Sequence, residues 1–243
     1  MRMEKILQEA FNHYPAAQAP FLHQQYADWQ RLKPLQGLRV AHHFPVVQNT
    51  LLKIACLAAA GAEVTVTTPD FMQACPQALI ALQKNNIKFV ENVQTLTSTN
   101  FDIYLDCGAV LYTTLGMPKI GAIELTGTGD KLYRQLNVSY PVISIDRSLT
   151  KQLETVFGTA VSAMQAMMHA KQPINFVLND PTPIIYIDPE MYVHNQVTLD
   201  LLAQNLSHQI HNMPSDFDNA TINQWCDYHG QTRQEIERWF IQF

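Results

Sequence analysis

A polar turn between an apolar strand and an apolar helix holds the residues of this sequence that could contact a ligand. The turn at residues 42–49 contains His42, His43 and Asn49, and the chain on either side of it is mainly apolar. In βαβ units ligands lie over such a turn, at the carboxyl end of the strand. Histidine exchanges protons near neutral pH, although a histidine at a strand end is more often a structural or surface residue. The turn is therefore the first place where we expect a binding site.

A second turn has some of the residues of a dinucleotide-binding fingerprint. Gly127 and Gly129 follow a predicted strand, and Asp146 ends the next one. The third glycine position of the fingerprint is Leu132, and a single GxG is weak evidence. A flexible turn is the preferred interpretation, although its backbone N–H groups could hold an anion.

No metal site or disulfide framework is predicted. His208 and His211 share one face of a predicted helix but have no third ligand at metal spacing, so we expect solvated side chains. The cysteines are widely spaced without a CxxC pair, and we expect them to be reduced and mostly buried. They are Cys56, Cys75, Cys107 and Cys226.

The elements that must position these residues alternate between strands and helices. Strands are predicted at 38–41, 63–67, 88–90, 102–106, 121–125, 142–146 and 184–187. Helices are predicted at 4–13, 20–32, 47–60, 70–84, 129–137, 149–170 and 190–212, with a proline-rich loop at 172–183. This alternation predicts an α/β fold, with a doubly wound, mostly parallel sheet and helices on both faces, Rossmann-like or flavodoxin-like.

The domain plan has two parts. Residues 1–212 are expected to form the α/β domain, and residues 213–243 a helical hairpin that packs on it or on a partner subunit. Thr232 and Glu235 have the spacing of a capping box at the start of the second helix of this hairpin.

Composition narrows the classes of function. The 243 residues are 47% hydrophobic and 15% charged, with a net charge of −5 and no cluster of lysine and arginine. This argues against a general surface for nucleic acid or for an anionic membrane. The sequence has no apolar run of about 18 residues for a membrane span and starts with an amphipathic helix, so the cytoplasm is the expected location.

Five segments of the chain are similar to the substrate-binding domain of the S-adenosylhomocysteine hydrolase family. They are the stretch from KPLQGLRVA to GAEV at 33–64, YLDCG at 104–108, ELT to LY at 124–133, YPVISIDRSLTKQLETVFG at 140–158, and PEMYVHNQVTLDLLAQ at 189–204. About thirty residues separate Gly158 from Pro189, where that family inserts its NAD-binding domain. Because GxGxxG is also absent from the sequence, we expect no cofactor.

The resemblance implies which residues contact a substrate. In that family a glutamate, a lysine and an aspartate hold the ribose hydroxyls, and by position they correspond to Glu124, Lys151 and Glu154. The lysine also helps to remove a proton from the 3′ oxygen, so Lys151 and Glu154 are the expected catalytic residues. A lysine beside two carboxylates suits a cis-diol, because carboxylates accept from hydroxyls and the ammonium donates. Apart from the resemblance, Lys151 and Glu154 would be an ordinary i,i+3 pair on a solvated face.

Four more residues are expected to bind substrate by the same resemblance. Asn49 and Thr50 correspond to the part of the turn that grips adenine, where only Thr50 is unchanged. Asp188 takes the place of the histidine that closes over the nucleoside, and an acidic residue there could bind an amine. Its alternative role is to cap a helix. Asn195 is in register with the family's helix that follows the cofactor domain.

Two replacements argue against the family's reaction. The acid–base histidine corresponds to Pro45 and the catalytic aspartate to Cys107, and neither can do the same proton transfer. His42 or His43 could substitute in space for the missing histidine. The prediction is a hydrolase-like domain that binds a nucleoside-like or S-adenosyl-type small molecule without NAD-dependent hydrolysis, as a homodimer or homotetramer. The alternatives are a redox-independent enzyme that acts on a ribose-bearing substrate through Lys151, and a regulatory or scaffold partner of a true hydrolase.

Overall fold

A parallel sheet forms the centre of the protein in the computed structural model, which describes residues 4–96, 100–159, 182–203 and 205–240. Within these ranges the sheet has seven strands in the order β3-β2-β1-β4-β5-β6-β7, all paired in parallel. The strands are β1 (Arg39–His43), β2 (Glu63–Thr67), β3 (Lys88–Phe89), β4 (Ile103–Asp106), β5 (Gly121–Glu124), β6 (Val142–Ser144) and β7 (Ile210–Asn212). The predicted α/β class with a parallel sheet is confirmed.

Helices connect the strands and continue beyond them. They are α1 (Glu4–His13), α2 (Pro20–Leu32), α3 (Thr50–Ala59), α4 (Pro76–Lys84), α5 (Val110–Leu115), α6 (Gly127–Gln135), α7 (Leu149–Leu153), α8 (Ile184–Ala203), α9 (Ser215–His229) and α10 (Arg233–Glu237). A π-helical turn, Glu154–Thr159, follows α7 directly. Among the helices of the described ranges, none combines the length and apolar character that a membrane span requires.

The strand order reverses direction at β1. The chain moves from β1 outward to β3, and then crosses back to place β4 on the other side of β1. In open α/β sheets the crevice outside the carboxyl ends of the strands at such a reversal is where ligands bind. The turns after β1 and β4 border this crevice.

The central strands form because they are short, continuous apolar runs buried on both faces. All four residues of β4 and of β5 are buried, and so are four of the five residues of β1. Helix α3 packs its alanine-rich and leucine-rich surface into the same core and ends before Gly61, whose φ of 85° suits glycine.

Two predicted elements in the last third of the chain are wrong. Residues 184–187 begin α8 rather than form a strand, and residues 210–212 form β7 rather than end a helix. The run IIYI is rich in β-branched residues, which favours a strand in isolation, but tertiary contacts decide otherwise. Of the predicted helix at 149–170 and the loop at 172–183, residues 160–181 lie outside the described residues.

The end of the chain forms the two predicted helices. Gly230 separates α9 from α10 in the left-handed conformation, with a φ of 61°. The capping box of Thr232 and Glu235 is present, and the backbone N–H of Thr232 donates to Glu235 at 3.1 Å. These helices pack against α2 and α7 through a small apolar cluster, which contains Phe21, Leu153, Ile222, Trp225 and Ile236.

Candidate functional site

A cavity of about 200 Å³ lies at the carboxyl edge of the sheet, where the strand order reverses. We name it the switch-point cavity. Three groups of residues line it. The turns after β1, β4 and β5 contribute Phe44, Pro45, Val47, Asn49, Thr50, Cys107, Leu125 and Thr126; the loop before α4 contributes Phe71 and Met72; and the segments around α7 and α8 contribute Lys151, Glu154, Thr159, Thr182, Ile187 and Glu190.

A larger groove of about 390 Å³ lies elsewhere, between α2, α3 and the first residues of β2 and β3. Its wall includes Ala55, Ala58 and Ala59 of α3 and the edge residues Glu63 and Lys88. It borders the amino ends of these strands, whereas ligands of open α/β sheets bind at the carboxyl ends. The smaller switch-point cavity is therefore the candidate site.

Lys151 has a carboxylate on either side of it in this cavity. Its Nζ donates to Glu154 Oε2 at 2.9 Å and to Glu190 Oε1 at 3.0 Å. Burial lowers the pKa of Lys151, but the charges of Glu154 and Glu190 outweigh burial and raise it above the ordinary value. Lys151 is therefore held as an ammonium, which donates hydrogen bonds and does not act as a base.

The π-helical turn after α7 directs Glu154 into the same group. The carboxylate of Glu154 accepts from Lys151, from Thr155 at 3.1 Å and from Thr159. Burial raises the pKa of Glu154, but Lys151 and the threonine hydroxyls lower it by more. The net pKa of Glu154 is therefore below its ordinary value. Glu154 is thus a fixed anion, held by more donors than its neighbour Glu190.

The turn after β1 brings Asn49 and Thr50 to the cavity. The hydroxyl of Thr50 accepts from Val47 N at 3.0 Å and donates to Val47 O at 2.9 Å, which closes the turn. The amide of Asn49 donates to Thr182 O at 2.9 Å and ties the turn to the start of α8. Together with Lys151 and Glu154, these two residues are the predicted substrate-binding residues that line the cavity.

Glu124, predicted to bind ribose, is engaged by the protein itself. Its carboxylate accepts from Gly108 N at 3.0 Å, from Ala109 N at 2.9 Å and from the N–H and hydroxyl of Thr126 at 2.7 and 2.8 Å. Burial and the charge of Asp106 raise its pKa to about 7, against these hydrogen bonds. A Cβ at Gly129 would overlap this carboxylate, so glycine lets α6 approach it. Glu124 organises two turns and is not among the residues that line the cavity.

Asp188 and Asn195 also turn away from the cavity. Asp188 accepts from the backbone N–H groups of Phe21 and Leu22, both at 3.0 Å, and so completes the first turn of α2. This is the capping role left open by the sequence, although the helix capped is α2 rather than its own. Asn195 accepts from Lys53 Nζ at 3.0 Å and donates to Gln25 at 2.9 Å.

His42 and His43 do not reach the cavity in place of the missing histidine. The Nε2 atom of His42 lies 3.0 Å from Lys53 Nζ, and His43 Nδ1 lies 2.6 Å from the hydroxyl of Thr67. Burial lowers the pKa of His43 to about 4 and that of His42 well below its ordinary value. Pro45 and Cys107 line the cavity instead, and burial raises the pKa of the Cys107 thiol to about 12, which keeps it protonated.

Within the described ranges no group of histidine, cysteine and acidic residues could hold a metal ion. The helical face predicted for His208 and His211 is wrong, because His211 lies in β7. The four cysteines are free and buried. Glu190 was not predicted as a site residue. Its only signal in the sequence was an acidic residue directly after Pro189, in a segment already linked to the site by resemblance.

Comparison with known proteins finds partial sequence similarity to an S-inosyl-L-homocysteine hydrolase and to adenosylhomocysteinases. The chain is 26% identical over 176 residues to an S-inosyl-L-homocysteine hydrolase of Methanopyrus kandleri, covering 63% of this chain and 41% of that protein. It is also 26% identical over 172 residues to an adenosylhomocysteinase of Thermococcus kodakarensis, covering 61% and 41%. This chain is similar to part of an adenosylhomocysteinase. It spans about 40% of the length of the curated relatives that it matches, and no family model matches it.

The prediction of no cofactor is wrong by these comparisons. A matching solved structure is the L-tryptophan dehydrogenase from Nostoc punctiforme, with a TM-score of 0.33, 17% identity, and coverage of 92% of this chain and 60% of that one. The matches that bear on a cofactor are the adenosylhomocysteinases, because that family, as described above, carries an NAD-binding domain.

Within the described residues, the turns at the reversal of the sheet lack the glycine-rich set of free N–H groups that would hold such a cofactor. A dinucleotide pyrophosphate binds free backbone N–H groups in a glycine-rich turn at a helix start. After β4, Glu124 accepts from the N–H groups of Gly108 and Ala109, and Asp106 accepts from those of Leu111 and Tyr112. After β1 the turn at 44–49 contains no glycine. In this arrangement a pyrophosphate does not fit either turn.

Proposed function

We propose that the chain binds a nucleoside-like small molecule in the switch-point cavity, with the ribose hydroxyls against Lys151 and Glu154. The observation that carries this proposal is the partly buried lysine between two carboxylates at the carboxyl edge of the sheet. An ammonium has three N–H groups, and the contacts of the described residues account for two of them. The third is left to donate to a ligand hydroxyl, while a carboxylate beside it can accept from the neighbouring hydroxyl.

The walls of the cavity support a ligand with a planar apolar part. Phe44, Val47, Leu125 and Ile187 are apolar residues of the lining, and the ring of Phe71 is 74% exposed. Ligand sites in proteins combine such apolar walls with a few convergent polar groups. At about 200 Å³ the cavity is small for a ligand site, which favours a nucleoside over a larger molecule.

Similarity to hydrolases whose names specify S-adenosyl- and S-inosyl-homocysteine supports the same class of ligand. The predicted alternative in which Lys151 acts as a base is less well supported, because its two carboxylates hold it in the protonated form. The role of a scaffold for a true hydrolase stays a prediction.

The test is thermal unfolding in the presence of adenosine, inosine, S-adenosylhomocysteine or NAD, each added separately. A nucleoside present at 100 times its dissociation constant should stabilise the native state by about 2.7 kcal/mol. The shift should be lost in Lys151→Arg, which keeps the charge but not the compact ammonium. It should be kept in Lys131→Arg, a change at an exposed lysine. No shift with any nucleoside at millimolar concentration would contradict the proposal.

A further inference from the structure

Glu190 is a residue of the switch-point cavity that has one paired oxygen and one oxygen without a partner among the described residues. It lies in α8, directly after Pro189, and is 1% exposed. Oε1 accepts from Lys151 at 3.0 Å. Oε2 is buried and has no hydrogen-bond partner among the described residues. A buried carboxylate oxygen without a donor is costly in an isolated protein, which makes it a natural acceptor for a ligand.

The two carboxylates of the cavity differ in this respect. Glu154 accepts from Lys151, Thr155 and Thr159, so its hydrogen-bonding capacity is largely used within the protein. Burial raises the pKa of Glu190 above its ordinary value, in part against the charge of Lys151, whereas the net shift of Glu154 is downward. Glu154 therefore positions Lys151, and Glu190 is the carboxyl group that can respond to a ligand.

The charge of the cavity restricts what that ligand can be. One ammonium faces two carboxylates, so the group carries an excess negative charge while both glutamates are ionised. In a site of low dielectric such a charge attracts hydrogen-bond donors and repels phosphate. Arg134 and Arg147, two other cations at this edge of the sheet, are paired with Asp130 and do not line the cavity.

On the basis of the proposed nucleoside site, we infer that Glu190 is a further ligand-binding residue that determines specificity. Its Oε2 accepts a hydrogen bond from a hydroxyl or amino group of the bound molecule. Its charge favours an unphosphorylated nucleoside over the corresponding nucleotide. Glu190 itself is not among the residues that the sequence resemblance assigned to the site.

Isothermal titration with adenosine and with adenosine 5′-monophosphate tests the inference on the purified protein. Wild type should bind adenosine at least tenfold more tightly than the monophosphate. In Glu190→Gln the amide oxygen can still accept from Lys151, which places an NH₂ donor where Oε2 was an acceptor. We expect about tenfold weaker binding of adenosine and a smaller preference over the monophosphate. Glu91→Gln, at an exposed residue, should match wild type.

The outcomes separate this inference from the proposed function. Equal affinity of wild type and Glu190→Gln for adenosine, with unchanged preference over the monophosphate, would overturn the role of Glu190 and leave the nucleoside site standing. No binding of adenosine to wild type would overturn both. If Glu190→Gln does not fold, Glu190→Asp keeps the charge but withdraws the carboxylate by one methylene, and the same loss of affinity for adenosine is expected.

Discussion

The indole Nε1 of Trp225 donates a hydrogen bond of 2.7 Å to the backbone carbonyl of Ile185. Pro189 lies four residues after Ile185 in the same helix, α8, and lacks the N–H group that would normally bond to this carbonyl. A side chain of α9 thus supplies the donor that α8 is missing. The contact lies just before Glu190, so the C-terminal helices stabilise the segment that completes the cavity.

Trp225→Phe should lower the free energy of unfolding by about 1–3 kcal/mol, because the ring still packs but the carbonyl of Ile185 loses its donor. Urea unfolding followed by circular dichroism measures this change. Trp239→Phe is the matched control, since Trp239 is 65% exposed and should change stability by less than about 0.5 kcal/mol. Equal effects of the two substitutions would show that the hydrogen bond contributes little.

Asp188→Asn should destabilise the protein by about 1–2 kcal/mol without weakening ligand binding. The two oxygens of the carboxyl group accept from two N–H groups at the start of α2, although burial raises the pKa of Asp188 to about 8. Asparagine keeps one acceptor oxygen and places an NH₂ donor against the other N–H group. Urea unfolding and titration with adenosine measure the two properties, and Asp227→Asn, at an exposed residue, is the control. Loss of affinity with unchanged stability would instead restore Asp188 as a ligand residue.

Lys53 should make the stability of the protein depend on alkaline pH. Its ammonium is fully buried against His42 and Asn195, and burial, opposed in part by Glu190, lowers its pKa from 10.5 to about 7. Between these two values the unfolded chain binds one more proton than the native protein. The free energy of unfolding should therefore rise with pH in this window, by at most about 1.4 kcal/mol per pH unit.

Urea unfolding at four pH values from 7 to 10 measures this dependence. In Lys53→Met the contribution is absent, so the stability of wild type relative to the variant should increase with pH. Lys131→Met, which removes an exposed lysine, should keep the slope of wild type. Parallel pH profiles for wild type and Lys53→Met would mean that Lys53 stays protonated in the native protein throughout.

Local signals in the sequence were sufficient for most of the sheet. The strands from β1 to β6 were predicted within about two residues at each end, because each is a short apolar run bounded by turn residues. The segment at 184–187 was predicted wrongly, because its β-branched residues are typical of a strand. In the structure this segment is helical and accepts a hydrogen bond from Trp225 of α9, which follows it by some thirty residues.

In the candidate site, too, some contacts follow from the sequence and others only from the tertiary structure. Lys151 and Glu154 are three residues apart, so helical geometry alone brings them together, and the sequence by itself determined that pair and the polar turn at Asn49 and Thr50. The partners of Glu124 and Asp188 include N–H groups of distant segments, and only the tertiary structure decided that these carboxyl groups serve the protein rather than a ligand. The contact between Lys151 and Glu190 likewise joins residues 39 positions apart. Spacing in a sequence fixes neighbours within a helix, whereas long-range hydrogen bonds depend on how the elements pack.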